Sequence, residues 1–246
     1  MDEHFSAVAS RYRELRTLDP EPVHCIRDHL PDCPLRGVDV GCGTGRYTQR
    51  LYDELPEGTL ILAADQNREM LRELRHRLDG ETRIVPVQLR AEDLPLRPRS
   101  IDWLTTFNAV HHMNLPRFLA MVAEILRPGG KLFIYTRTPE QNARSVWGRL
   151  FPGFSERETR LRSEPQLRVA VENAAGLELE SVETFRYKRT STPQRLRELC
   201  QNAHYSTFSM YESEEFSEAL QTFLGRFDDT VVHWSDENLM LICKRT

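Results

Sequence analysis

Residues 36–47 read RGVDVGCGTGRY, a short apolar run that gives way to three alternating glycines, Gly41, Gly43 and Gly45. Backbone stripped of side chains takes positive φ or comes close against a ligand. A loop between a strand and a helix also offers N–H groups and the positive helix end to an anionic group. Both a dinucleotide and an aminoacyl nucleoside fit that description. Dinucleotide loops usually run G-x-G-x-x-G, whereas the spacing here is G-x-G-x-G with Arg46 following. Asp39, two residues before the first glycine, leans toward the second ligand, because a carboxylate there faces a charged amino group that a pyrophosphate lacks. Asp65 closes the next strand in LILAADQNREML, placed to accept from both hydroxyls of a ribose, which either ligand has.

Outward from the loop, short apolar runs alternate with helical periodicity: 36–40 then 46–54, 59–65 then 67–79, 83–88, 101–106 then 116–126, and 131–136. This rhythm predicts a parallel sheet with helices on both faces. Ahead of it, residues 2–30 read as two helices split at Asp19-Pro20-Glu21-Pro22, capping the ligand edge of the sheet or padding its side. LRPGG at 126–130 ends a helix and reverses the chain into the fifth strand. Beyond Thr138 come helical material, a strand near 177–187, helices around 193–226 and a last strand near 231–243. The organisation predicted is one α/β domain: a helical cap over 1–30, a ligand-binding core over 31–137, and further helices with a final strand pair over 138–246.

Bulk properties narrow the partners. A net charge of −4 and a pI near 6.1 leave no global basic footprint for nucleic acid. Five cysteines form an odd set without a C-x-x-C pair, which argues against a zinc site or a disulfide framework. The start MDEHFSAVAS is neither basic nor apolar, and no run approaches the ~20 apolar residues of a membrane span. The expectation is a cytoplasmic protein, monomer or homodimer, with no membrane and no metal.

Four stretches in order, VDVGCGTGRYT, Asp65, RAEDLPL at 90–96, and SIDWLTTFNAVHHM followed by LRPGGKLFIYTR, make the chain resemble the class I S-adenosylmethionine-dependent methyltransferases. The likeness spans roughly residues 36–137 and leads toward the small-molecule, ubiquinone- and menaquinone-methyltransferase-like branch. It implies a Rossmann-like seven-stranded sheet of order 3-2-1-4-5-7-6, last strand antiparallel, binding S-adenosyl-L-methionine. Gly41, Gly43 and Gly45 would pass under the methionine part, Asp39 would hold its amino group through water, and Asp65 would bind the ribose beside Gln66. Ala91 and Glu92 would address the adenine edge, with Arg90 standing where the family commonly has a small acid or amide. Asn108 would lie beside the sulfonium. In the N-terminal helix Tyr12 and Arg16 share a face at i, i+4 spacing, and Arg16 is either a clamp for the cofactor carboxylate or a surface arginine.

A sulfonium methyl is already electrophilic, so the protein chiefly has to align donor and acceptor for in-line displacement. His111 in FNAVHHM is the candidate general base, with His112 expected to point elsewhere; both are alternatively packed helix-start histidines. Substrate selection belongs to the material after the fifth strand, and the candidates there are Arg137, Trp147, His204 and Tyr205. Segment 137–168 holds seven arginines against four glutamates, readable as a basic lid over an anionic acceptor or as solvated helix faces paired with those glutamates. An RNA acceptor and a non-catalytic nucleoside-binding module on the same fold stay open beside the leading reading, methyl transfer to a small molecule.

Overall fold

The computed structural model of the chain describes residues 17–228 and 231–246. Its elements run α1 (Glu21–Asp28), β1 (Arg36–Val40), α2 (Arg46–Glu54), β2 (Leu60–Asp65), α3 (Arg68–Leu78), β3 (Ile84–Gln88) and β4 (Ile101–Phe107). They continue as a 3-10 turn (Val110–His112), α4 (Leu115–Ile125), β5 (Leu126–Thr136), α5 (Pro139–Arg144), α6 (Val146–Leu150), α7 (Phe154–Arg157) and α8 (Glu164–Glu172). The chain closes with β6 (Leu177–Ser191), α9 (Pro193–Gln201), a 3-10 turn (Ser206–Met210), α10 (Ser213–Leu224) and β7 (Val232–Arg245). The expected second N-terminal helix is α1, with Pro20 at its N-cap and Pro22 in its first turn; the first lies outside the described residues.

The sheet has seven strands in the order β3-β2-β1-β4-β5-β7-β6. The first five pair in parallel, and β7 runs antiparallel to both β5 and β6, so the predicted topology holds. Period-two alternation splits the core across its faces. Leu132 and Ile134 of β5, with Leu241 and Cys243 of β7, pack on the side of Phe118, Leu119 and Val122 from α4 and Leu167 and Val171 from α8. Phe133, Tyr135, Met240 and Ile242 face the other way, toward Val23 and Ile26 of α1, Leu51 of α2, and Leu71 and Leu74 of α3. A third cluster, Val146, Trp147, Phe151, Phe154, Leu196, Phe208 and Phe223, ties the acceptor-side helices to one another.

Two strand readings need correction. LRPGG does not turn a helix back into a strand: α4 ends at Ile125, and Leu126 already pairs with Ile101. The next ladder pair is Trp103 with Lys131, so Arg127–Gly130 bulge out opposite the single residue Asp102. Asp102 pins the bulge by accepting from Arg127 Nη1 at 2.6 Å and from the Arg36 N–H at 2.7 Å. The last strand pair is longer than 177–187 and 231–243, because β6 and β7 stay paired from Leu177–Arg245 to Ser191–Val232. Since β5 reaches only Leu239 of β7, the residues beyond form a two-stranded ribbon over the C-terminal edge of the parallel strands.

Candidate functional site

That edge holds a cavity of about 300 Å³ that runs from the glycine loop to the ribbon and the third aromatic cluster. At its base Asp39 is fully buried, accepting from Thr48 Oγ1 at 2.5 Å and Thr105 Oγ1 at 3.2 Å. Burial pushes its carboxyl up to about 6; the two hydroxyls pull it down, and the nearby Asp65 charge adds to the rise.

The loop above Asp39 is stitched to β2. Asp65 Oδ2 accepts from the Gly43 N–H and Oδ1 from the Asn67 N–H, both at 2.8 Å. Gly43 has φ +54°, and a Cβ built there meets nothing within 4 Å, so this backbone fronts open cavity that a side chain would fill. Gly45 does a different job. It is the left-handed N-cap of α2, and a Cβ there would sit 2.4 Å from Leu74 Cδ1, so it serves helix packing and does not line the cavity.

Gly41, Gln66, Arg90, Ala91 and Glu92 line the same half. Glu92 is already engaged, accepting from the Asn114 N–H at 2.7 Å ahead of α4, with Arg90 Nε 3.8 Å from its second oxygen. Asn108 follows β4 in the left-handed region at φ +52°, which asparagine tolerates. Its N–H bonds the Tyr135 carbonyl at 2.8 Å and its Oδ1 accepts from Asn238 Nδ2 at 3.3 Å. Tyr12 and Arg16 lie outside the described residues.

His111 and His112, of which the second was expected to point elsewhere, both line the cavity. The residues form a 3-10 turn, not the start of a helix, and their rings pack 4.1 Å apart. Of the acceptor-side candidates, Tyr205 lines the wall with its ring 5.7 Å from the Arg137 guanidinium. Trp147 and His204 reach the cavity from the core: Trp147 is 1% exposed, and His204 Nδ1 is 2.9 Å from the Leu199 carbonyl. They back the wall more than they face the space.

The arginines of 137–168 are largely spoken for. Arg144 pairs with Glu237, Arg157 with Glu215, Arg160 with Glu158, and Arg168 with Glu164 at 2.7 Å. Arg162 donates to the carbonyls of Val110 and Met113 at 3.3 and 3.4 Å. Glu158 is buried, which would raise its pKa, yet Arg160 and Thr207 outweigh burial and hold it below the usual carboxylate range. Paired helix faces, not an open basic lid, describe this stretch.

Sequence reasoning missed the ribbon's contribution. Arg189 of β6 and Trp234, Asp236 and Asn238 of β7 all line the cavity. Arg189 holds Asp19 bidentately at 2.8 and 2.7 Å and reaches Asp236 at 3.3 Å, while Arg137 Nη2 stands 3.5 Å from Asp236 Oδ1. The signal was the period-two continuation Tyr187, Arg189 and Trp234, Asp236, Asn238 past the core strands. Tyr47 stacks on Phe107 at 4.1 Å, and Tyr135 donates to Tyr187 at 3.1 Å behind the same wall.

Known proteins resemble the chain in sequence and in fold. Residues 38–134 match the family model of a methyltransferase domain. An uncharacterized methyltransferase of Mycobacterium tuberculosis is 32% identical over 136 residues, covering 55% of this chain and 52% of that protein. The match therefore spans about half of that relative's length. The ubiquinone biosynthesis O-methyltransferase of Xanthomonas euvesicatoria is 28% identical over 211 residues, 79% of this chain and 87% of the relative. A solved structure of a candidate methyltransferase from Bacillus halodurans superimposes with a TM-score of 0.64 at 19% identity, covering 92% of this chain and 98% of that one; that likeness speaks for the fold. Among the described residues no helix is long and apolar enough to cross a membrane.

Proposed function

We propose that this chain belongs to the class I S-adenosylmethionine-dependent methyltransferases and transfers a methyl group from S-adenosyl-L-methionine to a small-molecule acceptor. The observation that carries the reading is the continuity of the cavity: one space joins Asp39, Gly43 and Asp65 to Asn108, His111 and Tyr205. In this reading the donor takes the end at Asp39, Gly43 and Asp65, and the acceptor comes to it from the end at Tyr205. The open face of Gly43 and the carboxylates beside it suit the cofactor's ribose and amino-acid ends.

In this reading Asp39, once ionised, takes the amino group's positive charge at the floor of the site. Asp65 holds the loop through the Gly43 and Asn67 N–H groups, and its carboxylate faces the ribose hydroxyls, with Gln66 alongside. Ala91 and Glu92 border the base, and Glu92 positions the turn before α4 through the Asn114 N–H. Asn108, fixed by Tyr135 and Asn238, sets the neck between the two halves. The bound cofactor supplies an electrophilic methyl, so the protein's remaining tasks are to exclude water, align the acceptor and receive a proton where the acceptor carries one. In this reading His111 takes that last task. Arg137, Tyr205, His204 and Trp147 shape the acceptor end. The ubiquinone-type relative supports a small molecule over RNA, and so does the pairing of the segment's arginines.

Calorimetric titration with S-adenosylmethionine and, separately, with NAD tests this directly. Saturable binding of the first alone is expected, with Asp65→Ala weakening it by about 2–3 kcal/mol, the scale of a charge-assisted hydrogen bond plus a loosened loop. Binding of the dinucleotide instead, or of neither, would remove the assignment.

A further inference from the structure

The acceptor end carries an electrically closed chain of charges. Arg137, Asp236, Arg189 and Asp19 follow one another, each within 3.5 Å of the next, two positive and two negative. Glu158 and Arg160 form a further neutral pair beside them. Yet three buried atoms there lack a hydrogen bond, the acceptor Asp236 Oδ1 and two donors. Arg137, 8% exposed, keeps Nη1 buried without a hydrogen bond, and so does Nε1 of Trp234.

Arg137 and Trp234 line the same cavity. Trp234 and Asp236 are two apart on β7 and so share the ribbon's inner face, about 7 Å apart along the strand. Arg137 arrives from the end of β5 onto Asp236. The same cavity is also lined by Leu161, Leu199 and Tyr205.

A buried unpaired donor is costly, and an oxygen supplied by a ligand relieves it. The charge of that oxygen is what the closed chain decides. A carboxylate would bring an uncompensated negative charge into a buried space where Asp236 already occupies the same guanidinium, and burying such a charge is unfavourable. A carbonyl oxygen satisfies the donors without that penalty. Resting on the methyltransferase reading above, we infer that Arg137 Nη1 and Trp234 Nε1 seat the carbonyl oxygen of an uncharged acceptor, and that carboxylate analogues are discriminated against.

The test uses the full chain saturated with S-adenosylhomocysteine and titrated with 2-acetylnaphthalene or 2-naphthoate, two probes of one shape that differ in charge. The ketone is expected to bind at least tenfold more tightly. Trp234→Phe, which deletes only the N–H, is expected to weaken the ketone severalfold. The paired variant Arg137→Met with Asp236→Leu, which orphans no charge, is expected to weaken it about tenfold while S-adenosylhomocysteine affinity stays within twofold. Equal or tighter binding of the naphthoate overturns the inference, as does binding of neither probe or a ketone affinity that both variants leave intact. Failure of S-adenosylhomocysteine itself to bind strikes the methyltransferase reading, a separately recorded result.

Discussion

Gly43 and Gly45 lie two residues apart with φ of +54° and +74°, and their surroundings are opposite. An alanine at either position pays about 1 kcal/mol for left-handed backbone. At Gly45 the new methyl also meets Leu74, adding roughly 1–3 kcal/mol of overpacking. At Gly43 it projects into empty cavity. Gly45→Ala should therefore lose about 3 kcal/mol of stability in denaturant melts. Gly43→Ala should lose about a third of that yet bind S-adenosylhomocysteine at least tenfold more weakly. Equal melting losses with equal affinities would show that the loop does not face a ligand. Asp39 gives a second residue-scale prediction. With its carboxyl near pH 6, a cofactor amino group binds the ionised form, so affinity should rise about tenfold between pH 5 and 7 and flatten above the titration. Proton release, read from calorimetry in buffers of different ionisation enthalpy, should accompany binding at the acid end and vanish in Asp39→Asn. A flat profile in the native chain would place the ammonium elsewhere. Folding stability moves the other way: the raised pKa favours the protonated native state, a contribution full below the unfolded value near 3.8 and lost as pH rises through about 6.

At the scale of elements, legibility followed periodicity. β1 and α2 fall on the residues that the apolar pattern marked, 36–40 and 46–54, and α3, β4 and α4 differ from it by a residue or so at their ends. Asn67 capping α3 through the Met70 N–H explains why a helix begins there. What was not legible depends on partners distant in sequence. LRPGG carries turn residues, but Asp102, opposite in β4, draws them into a bulge within a continuing strand. The ribbon residues Arg189 and Trp234 look like the polar fringe of an edge strand until β6 and β7 are known to pair past the end of β5. His112 depended on a distinction that spacing alone does not make, because a 3-10 turn and the first turn of an α-helix share their sequence signals. The cavity lining around the glycine loop was thus readable from local sequence, and the lining contributed by the ribbon was not, since long-range pairing builds it.

Across the whole molecule, one contact ties the beginning of the described chain to its end. Asp19, just ahead of α1, meets Arg189 of β6 across 170 residues of sequence through two hydrogen bonds, and both side chains are largely buried. This closes the cavity's rim by joining the segment before α1 to the ribbon. Removing one member of a buried pair costs more than the pair itself is worth, because the other charge remains. Asp19→Ala would leave two guanidiniums, Arg137 and Arg189, sharing the single carboxylate of Asp236. The arginine's partial exposure and that second carboxylate lessen the penalty, so a loss of about 2 kcal/mol is expected, read as a fall in Tm of roughly 5 °C for a chain of this length. Replacing both partners, Asp19→Leu with Arg189→Met, leaves Arg137 and Asp236 as a balanced pair and should recover most of that loss. A single variant as stable as the native chain would mean that the rim contact adds nothing to the fold. A double variant no better than the single would locate the cost in lost hydrogen bonds and not in the orphaned charge, and the electrically closed chain would then no longer explain how the acceptor end holds together.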